Sequence, residues 1–136
     1  MKIIVILSIF LILAFYLLLL IALTVLIETP IIVRGGITDN KVYIRGVNIV
    51  TNVLLNMSLV GLLLLSRSAG EDRIRAAATA WFLLAELLLI PVSESLAYRK
   101  ISSAGTGRIF LFTYLANLAS CAAGLILEVL IRVFFN

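Results

Sequence analysis

The sequence predicts an all-α integral membrane protein, four transmembrane helices forming a small bundle, and three observations carry that prediction. First, 63% of the 136 residues are hydrophobic and 13% are charged, against roughly 45–50% and about 25% in an ordinary soluble domain. Second, four apolar segments each approach the ~20 residues that cross a hydrocarbon core of about 30 Å. Third, most of the charges fall in the links between those segments. A soluble domain of this size has too little interior to hide four such segments, so the lipid bilayer is the expected partner.

The first span, Ile3 to Ile27, carries no charge over 25 positions. That run exceeds a signal-peptide h-region, and Lys2 is a thin n-region with no small-residue cleavage pattern after it, so a retained helix is predicted. Pro30, in Glu28-Thr29-Pro30, helps to stop it. From Ile31 to Arg45 turn formers and charges alternate, and Ile31-Ile32-Val33 and Val42-Tyr43-Ile44 flank the turn as a small hairpin, an interfacial patch or a lid. The second span runs from about Gly46 to Leu65, the third from about Ala76 to Ala97 and the fourth from about Ile109 to Phe134, all within one domain. The link 66–73 is polar, with Glu71 and Asp72 where a helix N-terminus favours negative charge. The link 99–108 is a Ser- and Gly-rich turn, and its Ala104-Gly105-Thr106-Gly107 lacks the Lys-Ser/Thr ending of a phosphate loop.

Charge does not orient the chain. Four spans place Lys2, Arg67, Arg73, Arg75 and Arg132 on one side and Arg34, Lys41, Arg45, Arg99, Lys100 and Arg108 on the other, so the positive-inside rule is silent. The net charge of +4 reads as membrane-flank chemistry and not as a nucleic-acid footprint. With no histidine and one cysteine, Cys121, inside the last span, the chain excludes internal disulfides, imidazole–zinc sites and Ser-His or Cys-His catalysis. No catalytic, cofactor or metal site is predicted.

The informative residues are the polar ones inside the spans. Asn48, Thr51, Asn52 and Asn56 share a sector of roughly 140° on the second helix. Thr113, Asn117, Ser120, Cys121, Gly124 and Glu128 share roughly 100° on the fourth. The third adds Thr79, Glu86 and Ser93 on a near-heptad line, with Glu94 offset by roughly 80° and Pro91 between the acids. An ionised carboxylate at the depth of Glu86 costs on the order of 2.5–3.5 kcal/mol, so it is expected to be protonated, paired or wet, facing the Asn side of the second helix and the stripe on the fourth. Glu128 has Arg132 one turn on, and Glu94 has Tyr98 and Arg99 nearby, so both acids have local explanations. Asn and Ser at such positions also serve as interhelical glue, and Ala116, Ser120 and Gly124 form a small-residue ridge for close helix packing. The Asn56-Met57-Ser58 sequon lies mid-span and is accidental.

Glu28 precedes Asn52 by 24 positions and Glu94 precedes Asn117 by 23, each acid being followed within a few residues by Arg34 or Arg99. That spacing suits two helix hairpins related as a parallel repeat. Three function classes follow: a transporter or channel-like homo-oligomer with a pathway of Asn48, Asn52, Glu86, Asn117 and Glu128; an accessory subunit of a larger membrane complex; and an intramembrane enzyme with Glu28, Glu86 or Glu94 as acid or base.

Overall fold

The computed structural model describes residues 2–65 and 70–135, and among them it is helical with no strand. Helix α1 (Lys2–Arg34) and helix α2 (Lys41–Leu65) form a first hairpin. Helix α3 (Glu71–Leu84) runs through a π-helical turn (Ala85–Leu89) into α4 (Ile90–Tyr98), and α5 (Thr106–Phe135) returns beside it. Four stretches of these helices are long and apolar enough to cross a membrane, as a four-helix bundle in a bilayer requires.

Two boundaries differ from the sequence expectation. Helix α1 does not stop before Pro30; it continues one further turn, to Arg34. A proline removes one backbone donor and crowds the preceding turn, but Ile32 beyond it is completely buried in the bundle, and this tertiary packing holds the last turn in place. The 31–45 segment is correspondingly not a strand hairpin: Ile31–Val33 complete α1 and Val42–Ile44 begin α2. The reversal is a short turn in which Gly36 adopts φ 63°, a left-handed conformation that glycine enters without penalty. Asn40 then caps α2, its Oδ1 accepting the Tyr43 amide at 3.0 Å.

The third span is interrupted where Pro91 has no amide hydrogen for an α-type bond. One turn earlier the ladder widens, the amide of Ile90 reaching back to the carbonyl of Ala85, five residues behind. Glu86 rides on that widened turn, a feature that recurs at functional sites.

The packing is uneven along the bundle. Ile32, Ile37, Ile44, Tyr98, Ile109 and Ala116 form a buried cluster at the end carrying the 35–40 and 99–105 turns. Ser102 ties the two turns together, its Oγ donating to the carbonyl of Ile37 at 2.6 Å. Gly35 allows the closest approach there, since a Cβ at that position would lie 2.5 Å from Cγ of Phe112. A smaller cluster, Leu55, Ala85 and Ile90, joins α2 to the π turn. In the other half, Trp81 Nε1 donates to Ser58 Oγ at 2.9 Å and links α3 to α2.

Candidate functional site

Where the tightly packed half ends, a cavity of about 500 Å³ begins. All four spans line it. Its inner level is set by Glu28, Asn52, Glu86 and Asn117, and its outer level by Tyr16, Leu59, Ala78 and Glu128. Along α1 these levels are twelve residues apart, about 18 Å at 1.5 Å per residue, so the cavity occupies the half of the bundle that holds the N-terminal part of α1 and the C-terminal part of α5. Its wall is mostly apolar, with Leu20, Leu55, Phe82 and Leu125, and is punctuated by the carboxylates of Glu28, Glu86 and Glu128. Among the described residues no lysine or arginine lines it.

A polar network closes the inner end. Glu94, 1% exposed, is held from two helices: Thr51 Oγ1 donates to its Oε1 at 2.7 Å and Asn117 Nδ2 to its Oε2 at 2.8 Å. One turn further along α5, Ser120 Oγ donates to Oε1 of Glu28 at 2.5 Å, and Glu28 is also only 1% exposed. The two acids are thus held from points one turn apart on α5, Glu94 by Asn117 and Glu28 by Ser120. Behind them Tyr98, fully buried, donates its hydroxyl to Asn48 Oδ1 at 3.0 Å, and its ring stands 6.4 Å from that of Tyr43. The Tyr43 hydroxyl in turn donates to the carbonyl of Ala97 at 3.0 Å. Not every polar atom is satisfied: Glu28 Oε2, Thr29 Oγ1, Asn48 Nδ2 and Ser95 Oγ are buried without a hydrogen-bond partner. An unmet buried polar atom is costly in any medium that lacks water.

The residues singled out in the sequence separate into groups. Asn52, Asn56, Glu86, Asn117, Ser120 and Glu128 line the cavity. Asn48 and Thr51 belong to the closed network, and the amides of Asn52 and Asn56 bond to carbonyls one turn back on α2 at 2.9 and 2.8 Å. Ser93 faces outward, exposed, its hydroxyl turned to the carbonyls of Leu89 and Ile90. Of the small-residue ridge, Ala116 and Ser120 are buried, whereas a Cβ on Gly124 would meet nothing within 4 Å because that glycine borders the cavity. Glu94 is not a flank residue satisfied by its neighbours Tyr98 and Arg99; it is the most fully engaged acid of the network. The expected partner of Glu128, the Arg132 side chain, lies outside the described residues.

Sequence reasoning underrated Glu28 and did not single out Tyr98 or Tyr43 for the interior. The signal for Glu28 was its spacing to Asn52, matched by Glu94 and Asn117. In three dimensions each acid meets a hydroxyl on the second helix of the other hairpin, Glu28 with Ser120 and Glu94 with Thr51. The tyrosines carry no periodic signal, because each sits at a span end where an aromatic anchor is ordinary.

Among the described residues no group of three or more Cys, Asp or Glu side chains is gathered as metal ligands require. No protein-family model, curated protein or solved structure matches the chain.

Proposed function

We propose that the protein is a small membrane transporter whose pathway is the cavity between its four spans and whose inner end is the Glu28–Glu94 acid pair. The observation that supports the reading most is the cavity itself: about 500 Å³, bordered by every span, with carboxylates at its inner and outer levels. Packing alone needs neither the space nor the acids, and intramembrane carboxylates characteristically mark ion and substrate paths. The unequal packing adds a mechanical basis, since one half of the bundle is tied by Tyr98, Ser102 and the buried isoleucines while the other is open. A homo-oligomer is the expected working form.

The test is flux in proteoliposomes given imposed gradients of protons, potassium, ammonium and a lipophilic organic cation, tetraphenylphosphonium. The protein should dissipate at least one of them faster than empty vesicles, and Glu86→Gln, eluting as the parent does in detergent, should abolish that flux. Flux indistinguishable from empty vesicles, or unchanged by Glu86→Gln, contradicts the reading.

A second reading, an accessory subunit of a membrane complex, draws on α1. This helix is longer than a bilayer needs, and it exposes Leu7, Leu11, Phe15 and Leu18. Stoichiometric polypeptides co-purifying from the native membrane would favour it.

A further inference from the structure

We infer that the ligand of the cavity is a monovalent organic cation carrying apolar groups, bound with its charge at Glu28. The inference rests on the cavity being the substrate site of the proposed transporter, and it names the substrate class. Glu28 borders the cavity and is 1% exposed; its Oε1 accepts from Ser120, while its Oε2 is buried with no hydrogen-bond partner. The neighbouring acid differs, for both oxygens of Glu94 are occupied by Thr51 and Asn117. The vacant acceptor is therefore on the acid that borders the cavity, and because that oxygen is itself buried, the Glu28 side chain must turn for a ligand to reach it.

Charge decides the sign of the ligand. Glu28 and Glu86 both border the cavity and, among the described residues, no lysine or arginine does, so the wall offers an anion no counter-charge, whereas either carboxyl can give up its proton as a cation binds. Size and wall chemistry decide its nature. A volume of about 500 Å³ is many times the ~30 Å³ of a water molecule and lies in the range of organic-ligand pockets. A small inorganic ion would need a shell of oxygen ligands; the inner level offers oxygens from Glu28, Asn52, Glu86 and Asn117, but such an ion would leave the apolar remainder of the wall, with Leu20, Leu55, Leu125, Tyr16 and Phe82, uncontacted. Such aromatics attract an organic cation and offer a hydrated metal ion little.

The probe is tetraphenylphosphonium, measured by equilibrium dialysis against the full chain in mild detergent, with tetraphenylborate as a counterpart of similar shape and opposite charge. Saturable binding of the phosphonium is expected, with no saturable binding of the borate. Glu28→Gln should weaken phosphonium binding about tenfold or more. Should Glu28→Gln fail to fold, Cys121→Trp, which fills the cavity from its wall, should produce the same loss. Equal binding of both ions, no saturable phosphonium binding, or unchanged affinity in the folded variant overturns the inference. Phosphonium binding without flux of any ion or of the phosphonium removes the transport reading and leaves the ligand class standing. Flux of another solute without phosphonium binding does the reverse.

Discussion

Asn117 and Asn52 look alike in the sequence, each a mid-span asparagine about two dozen residues after a glutamate, yet the structure predicts different costs for losing them. The Asn117 amide uses both hydrogens, one on Glu94 Oε2 at 2.8 Å and one on the carbonyl of Thr113 at 3.0 Å, and the residue is buried. Asn117→Leu leaves one oxygen of a buried carboxyl without its donor. A hydrogen bond to a charged partner is worth about 1.5–3 kcal/mol in soluble proteins, whereas interhelical bonds in membrane bundles average about 0.6 and reach about 1.7 kcal/mol. The burial of Glu94 places Asn117→Leu toward the upper end, about 1–2 kcal/mol. The Asn52 amide bonds to the carbonyl of Asn48 in its own helix, so Asn52→Leu should cost under about 0.5 kcal/mol. The assay is reversible unfolding in mixed detergent micelles, followed through the fluorescence of Trp81, the one tryptophan in the chain. A double-mutant cycle of Asn117→Leu with Glu94→Gln isolates the shared bond. Equal costs for the two asparagines, or a coupling near zero, would refute the claim that Glu94 organises the helices around it.

Three further predictions use the same unfolding assay. Gly35→Ala should destabilise by about 1–3 kcal/mol, because the new Cβ would lie 2.5 Å from Cγ of Phe112; trimming the ring with Phe112→Ala should recover part of the loss, and a full effect in the double variant would contradict the steric cause. Gly107→Ala, where a Cβ meets nothing within 4 Å, should be neutral or gain up to about 1 kcal/mol of helix propensity. Tyr98→Phe should cost about 1–3 kcal/mol by stranding Asn48, whose Nδ2 already lacks a partner, and Asn48→Leu should add little on that background; fully additive costs would show that the pair is not bonded.

The four spans were legible because bilayer length and apolar content are properties of contiguous sequence. The polar stripes of α2 and α5 were legible too, since a helix converts spacing into a face. What the sequence hid is which polar residues meet across helices. Ser93 shares a line with Thr79 and Glu86 in an uninterrupted helix, but the π turn at Ala85–Leu89 inserts between them and changes the phase, so Ser93 emerges on the outside while Glu94 turns inward. Pro30 misled for a different reason: its local cost is real, but the burial of Ile32 two residues on outweighs it. The turn between α1 and α2 was readable as a turn from Gly35, Gly36 and Asn40, yet its flanking β-branched residues belong to helix ends, where tertiary contacts override strand propensity. The depth of Glu28 was not readable at all, because it depends on α1 continuing past the proline and packing on α5.

The most direct test of the account uses the chain's one cysteine. Cys121 borders the cavity, next in sequence to the Ser120 that holds Glu28. In proteoliposomes, a water-soluble, membrane-impermeant cationic thiosulfonate should modify Cys121, seen as a single mass increment absent from Cys121→Ala, and should block the flux. Modification by a lipid-soluble maleimide alone, with the water-soluble reagent excluded from both faces, would mean that the space is closed to water and that the cavity is not a pathway.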